Sequence, residues 1–249
     1  MILGKIFELT EHVKEETEKA VKKLGKNAFH ADMRIELFEG KGASALNGTP
    51  KSAEEDTSAT LGARVYSVSG KLVASGFSGT VLGLKELQKP SKTFSEHLAL
   101  ALRLSRHNLQ NKKKFVKKHS ALAQGVEKIV FEKTKPIQET YRAPCEKNHE
   151  DISLEELARR TEKNSQNLAS KKGIASNQLA MIAGEKRKIF ADLGGSMIEQ
   201  DFALTEGFVY VAAKGKAMET YYDTLGNYRG LEVFEGKNEF EKTFEDFVE

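Results

Sequence analysis

Beyond Gly173 the chain alternates between apolar and polar residues in one short segment after another. The segments cover residues 178–183, 186–192, 197–203, 208–213 and 217–222, with Gly184-Glu185, Gly194-Gly195 and Gly215 at the breaks. A period of two sends every second side chain to the same face, and glycine supplies the tight turns. The pattern predicts an antiparallel meander sheet with one buried face. Whatever precedes it in the chain must supply a layer to bury that face.

The first half offers such a layer. Ile2, Ile6, Leu9, Val13, Ala20, Val21 and Leu24 fall near a 3.6-residue period, and Gly25 is placed to end the helix. At Ala31 the period changes to two: Ala31, Met33, Ile35 and Leu37 alternate with Asp32, Arg34 and Glu36. This predicts a half-buried strand that ends at Gly40-Lys41-Gly42 and opens a polar stretch to about Thr57. Strands are expected over 59–68 and 71–77, joined by a hairpin turn at Ser69-Gly70. After Pro90, the residues Phe94, Leu98, Ala101, Leu102 and Leu109 mark a second helix.

Further on, 127–133 reads as a short strand and 136–149 as a linker. Ser153 followed by Glu156 has capping-box spacing for a helix to about Ser170. Residues 238–249 read as the opening of a last helix. The fold class is therefore α+β: an N-terminal helix-strand-hairpin-helix unit, followed by a helix and an antiparallel meander sheet. Two subdomains are expected, 1–112 and 113–249.

Composition narrows the function classes. A chain with 39% hydrophobic and 30% charged residues, including fourteen Phe, can bury a core and remain soluble. The single cysteine, Cys145, excludes an internal disulfide framework and a multi-cysteine zinc site. No run approaches the length of a membrane span, and the charged N-terminus has no signal-peptide core. A cytoplasmic location is expected, in which the sequon Asn47-Gly48-Thr49 stays idle. Basic residues dominate between Lys112 and Lys147 and acidic ones after Leu231, so polar contacts within the chain or with a partner are expected.

Two stretches resemble the TldD/PmbA (modulator of DNA gyrase) family. The first is Ala31-Asp32-Met33-Arg34-Ile35-Glu36 with Gly62-Ala63-Arg64-Val65-Tyr66 and Gly70-Lys71. It is similar to the family's N-terminal strand and Gly-x-Arg-Val hairpin. The second runs from Asp192 through Glu199-Gln200, Leu204-Thr205 and Met218-Glu219-Thr220-Tyr221-Tyr222-Asp223 to Gly226-Asn227-Tyr228-Arg229-Gly230-Leu231-Glu232. It resembles the family's glutamate-glutamine, tyrosine and glycine-arginine-glycine sheet region. Gly194-Gly195 and Asn227-Tyr228 depart from that pattern. The resemblance covers the N-terminal half of the family. It implies a zinc-bearing catalytic half with a His-Glu-x-x-x-His helix beyond this one, supplied in a longer chain or a separate polypeptide.

No catalytic or metal site is expected within the chain. None of His12, His30, His97, His107, His119 and His149 stands in a His-Glu-x-x-His or His-Glu-x-x-x-His pattern. Cys145 with His149 has the spacing of a nucleophile pair but no orienting third group, so an ordinary thiol is the preferred reading. Gly40-Lys41-Gly42 fails as a phosphate loop, because Ile35 and Gly42 stand where glycine and a hydroxyl residue are needed. The run Lys112, Lys113, Lys114, Lys117 and Lys118 is a candidate basic patch for nucleic-acid phosphates. Its preferred reading is a solvated helix end complementing the C-terminal dipole.

By the resemblance, Tyr221, Tyr222, Asp223, Arg229 and Gly230 lie near a channel in which two halves and two subunits enclose an extended peptide. Exposed tyrosines and an arginine suit gripping of peptide backbone and carboxylates. The expected partners are a TldD/PmbA-type subunit or catalytic half, in a dimer, and an extended peptide substrate. No cofactor is expected in this chain, zinc being implied only for the other half. The expected role is the non-catalytic half of a zinc metallopeptidase. The alternatives are a nucleic-acid-binding module working through 112–119, or an inactive truncated family member.

Overall fold

The computed structural model describes residues 5–119 and 135–234. The first helix is broken into α1 (Lys5–Glu8) and α2 (Thr10–Leu24), and α2 buries Val13, Thr17, Ala20 and Val21. It ends at Gly25, whose φ of +48° lies in the left-handed region that glycine tolerates. Strand β1 (His30–Leu46) then runs through Gly40-Lys41-Gly42 without a break, contrary to the expected end there. It pairs along its length with β2 (Thr49–Ser69).

The two strands are joined by Asn47-Gly48, with φ values of +52° and +75°. Asn-Gly with both residues at positive φ is the two-residue hairpin turn whose twist matches the flanking strands. The stretch expected to be a polar loop is thus a two-stranded ribbon. Residues 49–56 of β2 are exposed on both faces, so no hydrophobic alternation exists there to read. Asn47 also fixes the ribbon tip to the second half: its side-chain oxygen accepts from the Asn177 amide at 2.8 Å.

Ser69-Gly70 turns β2 into β3 (Leu72–Val81), as expected. Next come α3 (Leu84–Gln88) and α4 (Pro90–Lys118). The expected linker at 136–149 instead contains a strand, β4 (Gln138–Arg142), and ends in a 3-10 turn at His149–Asp151. Strand β4 pairs parallel to β6, and its five residues are all exposed, so alternation gave no signal here either. Helix α5 (Leu154–Ala169) starts as expected at Ser153, whose hydroxyl accepts from the Glu156 amide at 3.1 Å. The expected strand at 127–133 and the helix at 238–249 lie outside the described residues.

The meander is present with fewer, longer strands: β5 (Ile174–Asp192), β6 (Met197–Lys214) and β7 (Met218–Asn227). Gly184-Glu185 is not a turn. Gly184 lies directly opposite Gly40 of β1, and a Cβ there would stand 2.7 Å from both the Glu39 carbonyl oxygen and the Phe38 ring. The glycine answers to a close approach between strands, which a sequence cannot distinguish from a turn.

All seven strands form one mostly antiparallel sheet in the order β3-β2-β1-β5-β6-β4, with β7 also on β6. Strands β4 and β7 divide β6, the former taking 197–201 and the latter 205–214. The protein is thus α+β, and the β1–β5 pairing joins the first half of the chain to the second. Odd-numbered residues of β1, β2, β5 and β6 face the helices. Met33, Ile35, Leu37, Leu61 and Val65 pack with Val13, Val21, Phe94 and Leu98 in one core. Leu179, Met181 and Val209 pack with Leu157 and Leu168 of α5 in another. Each such side chain contributes about 1.5–3 kcal/mol on burial.

Between the two cores the same face carries a polar seam. Arg187 reaches Glu185 at 2.9 Å and lies 4.2 Å from the Phe7 ring centroid. Lys14 reaches the buried Glu199 at 2.7 Å. Glu39 accepts from the Ile6 amide, fastening α1 to the sheet.

Candidate functional site

The sheet has a second face, and strand register dictates what stands on it. In an antiparallel pair, residues directly opposite point the same way. Asp32, Arg34, Glu36 and Phe38 of β1 therefore share this face with Phe190, Lys188 and Lys186 of β5, and with Gln200 and Phe202 of β6. Both apolar cores lie on the other face. Several large side chains here remain in contact with solvent, among them Phe77 at 64% exposure and Ile182 at 36%.

One end of the open face is a chain of cations and rings. Phe202 contacts Tyr228 at 5.0 Å and Tyr141 at 6.0 Å between centroids. Lys188 Nζ stands 5.3 Å from the Phe202 ring and 5.7 Å from that of Tyr228. Arg34 lies over Phe190, and Arg64, bonded to the buried Asp32 at 2.9 Å, lies over Tyr66. Such contacts hold flexible cations close to the sheet surface.

Further along the strands the surface sinks. A groove of about 480 Å³ lies over Phe38, Gly40, Gly42, Ile182 and Leu204. The Phe38 ring is folded down over the glycine pair: a Cβ on Gly40 would stand 2.6 Å from it, and one on Gly184 2.7 Å. Missing Cβ atoms thus keep the floor low. A smaller hollow of about 340 Å³ adjoins Arg34, Lys188 and Gln200.

The residues singled out by sequence are divided between two places. Tyr221 and Tyr222 lie on β7 opposite Val211 and Tyr210, on alternate faces, and are 47% and 72% exposed. Strand β7 is exposed along nearly its whole length, with Leu225 packed against the second core. Asp223 turns back on its own strand and accepts from the Thr224 amide. Arg229 is exposed, whereas Gly230 is buried against the 145–147 loop. The Gly230 amide donates to Glu232 at 3.0 Å, and a Cβ would collide with the Lys147 carbonyl oxygen.

Phe202, Lys188 and Tyr141 were not among the candidates, and Tyr228 lay within the candidate segment without being given a role. Their only trace in the sequence is the period-two pattern that puts Lys186, Lys188 and Phe190 on one face. Which rings they meet depends on β4 and on the chain after β7.

Lys112, Lys113, Lys114, Lys117 and Lys118 occupy the last two turns of α4, on the helical side of the sheet. Lys112 is tied back to the Val73 carbonyl at 3.0 Å. Phe115 is half exposed and contacts His119.

Burial raises the Cys145 thiol above its ordinary pKa, and the nearby Glu232 adds to the effect. A thiol kept protonated is a poor nucleophile. His149 is buried with its Nδ1 at 2.6 Å from Asn148 Oδ1, and burial lowers its pKa.

Among the described residues, no three of His, Cys, Asp and Glu are grouped to hold a metal ion. No helix among them is long and apolar enough to cross a membrane.

No protein-family model and no curated protein matches the chain. Solved structures do. TldE from Thermococcus kodakarensis superposes with a TM-score of 0.58 at 12% identity, over 94% of this chain and 46% of that one. A modulator of DNA gyrase from Thermotoga maritima gives 0.55 at 16% identity, over 88% and 44%. Another, from Bacteroides thetaiotaomicron, gives 0.57 at 11% identity, over 100% and 50%. The chain spans about half the length of these structures. It therefore shares the fold of about one half of TldD/PmbA-type proteins, the likeness to which its strand and hairpin motifs also point.

Proposed function

We propose that this chain is the non-catalytic half of a TldD/PmbA-type peptidase, forming a peptide channel and dimer contacts with a metal-bearing half. The observation that carries this reading is the sheet face that no described helix covers, with its groove and aromatic–cation cluster. An antiparallel sheet can leave one face to water, but here the large apolar side chains Phe77 and Ile182 stay exposed among the charges, which suits a surface that meets a partner. The structural neighbours, about twice as long, support it.

In this reading the exposed strand β7 offers the edge that no described strand pairs to an extended peptide by strand addition. Tyr221 and Tyr222 flank that edge on both faces, and Arg229 is available to a carboxylate. The chain itself supplies binding and orientation, and the partner half supplies the activated water. A cytoplasmic setting belongs to the same proposal.

The test is a peptidase assay with added zinc, on the chain alone and mixed with a metal-bearing half from the same source. Cleavage only in the mixture is expected. Cleavage by the chain alone would place a catalytic site where none is assigned. Silence in both, with no association at micromolar concentration, would overturn the proposal.

A further inference from the structure

The walls of the open-face groove differ from its floor. Phe38, Ile182 and Leu204 line the bottom, whereas Glu54 and Asp56 rise from β2 on one side and Glu206 from β6 on the other. With β1 and β5 between them, the two walls are three strand spacings apart, about 14 Å. Glu36 is offset by Lys186, whose Nζ lies 3.9 Å from it. Lys41 also borders the groove, but its ammonium is bound to the carbonyls of His149 and Ile152 at 3.2 and 2.7 Å. Among the described residues no hydrogen bond or ion pair engages the carboxylates of Glu54, Asp56 or Glu206. The groove therefore has an apolar floor and more negative than positive charge, four carboxylates against two ammonium groups, with three of the carboxylates unengaged, beside a cluster rich in cations.

We infer that this groove receives a lysine- or arginine-bearing peptide segment, so that the substrate class of the channel is basic peptides. The inference rests on the peptide-channel reading above and deepens it. Long basic side chains fit both features: their methylene stems cover apolar floor while their charged ends reach carboxylates at the walls. An acidic segment would meet like charge in the groove. Each exposed ion pair contributes only about a two- to five-fold gain in affinity, so three acting together amount to about ten-fold or more.

The experiment measures binding of three nine-residue peptides, capped at both ends and carrying a neutral dye. They are identical except for three positions occupied by lysine, glutamine or glutamate. The full chain is expected to bind the lysine peptide about ten-fold more tightly than the glutamine peptide, and the glutamate peptide most weakly. The triple variant Glu54→Gln, Asp56→Asn, Glu206→Gln alters exposed side chains only. It should bring the lysine peptide to the level of the glutamine peptide. The control Glu8→Gln, Glu11→Gln, Glu15→Gln makes the same change in net charge on α1 and α2, and should keep the preference.

Equal binding of all three peptides by the unmodified chain would overturn the basic preference and leave the peptide-channel reading standing. A preference that survives the groove variant, or falls equally in the control, would also overturn it. Absence of binding to any peptide would sink the inference, while cleavage in the mixed assay would still judge the channel reading separately.

Discussion

The two faces of the central sheet are built from the same strands yet obey opposite rules. The face under the helices alternates small and branched apolar residues, with Ala31, Met33, Ile35 and Leu37 all fully buried. The other face alternates cations, carboxylates and rings, and its Phe77 and Ile182 stay exposed. One residue of displacement along a strand exchanges these roles. The covered face is where stability resides, because packing there leaves no room for change. The open face is free to carry recognition, because little of the fold rests on it.

The contrast is sharpest at two glycines. Gly76 of β3 faces α4, and a Cβ there would collide with the Ala101 carbonyl oxygen and the Ser105 amide. Gly42 on the open face has nothing nearer than 3.8 Å to a Cβ. Gly76→Ala is expected to cost about 3 kcal/mol or more, since both obstacles are main chain and cannot rotate away. Gly42→Ala should lie within about 0.5 kcal/mol of the parent. Urea unfolding of the pair checks this, and similar midpoints would break the comparison.

The contacts of lysines divide in the same way. Lys14→Ala leaves the Glu199 carboxylate, nearly enclosed, without its 2.7 Å partner, and should cost about 2 kcal/mol. Lys188→Ala removes only contacts with the rings of Phe202 and Tyr228 and should cost about 0.5–1 kcal/mol. Equal losses in thermal denaturation would mean that the open face is covered after all.

A smaller effect is a pH dependence from His149. Burial lowers its folded pKa below the ordinary 6.5, so the unfolded chain binds a proton that the folded chain refuses. Stability from this group is therefore intact above pH 6.5 and falls as pH drops through that value towards the lowered one. His149→Gln should flatten the stability profile between pH 7 and 5. An unchanged slope would assign it to other groups, of which Asp201 is not one, because burial raises its pKa. Asp201 contributes with the opposite sign: its raised pKa makes stability fall as pH rises from the ordinary carboxylate value. The smallest effect is expected for Phe77→Ser, within about 0.5 kcal/mol, because its ring already contacts water.

Much of this architecture was legible in the residues, for reasons that the structure makes plain. Periods of 3.6 and two survive wherever one side of an element is buried. They located α2 and α4, the first part of β1 and the final meander. Ser153 declared its helix because a cap is a local bond between residues three apart. The same logic failed where both faces are wet, as in 49–56 of β2 and all of β4. Gly40 and Gly184 misled it as well, since glycine marks a turn and a close strand approach alike. Asn47-Gly48 was a hairpin signal in plain sight, obscured by the absence of alternation around it.

The candidate site was legible only as a segment. Tyr221, Tyr222 and Arg229 could be named because their segment resembles a family's sheet region and because tyrosines and an arginine suit gripping a peptide. The groove could not, because its parts come from β1, β2, β5 and β6, and register alone brings Glu54, Asp56 and Glu206 around one floor.

The sequence by itself determined the main helices and the one-sided burial of the strands that pack beneath them. Those properties depend on neighbours within a few positions of each other. Only the tertiary structure decided that β1 pairs with β5, that the helices gather on the odd-numbered face, and that the other face remains open. These outcomes depend on strand pairing between residues more than a hundred positions apart, and periodicity does not say which strands meet.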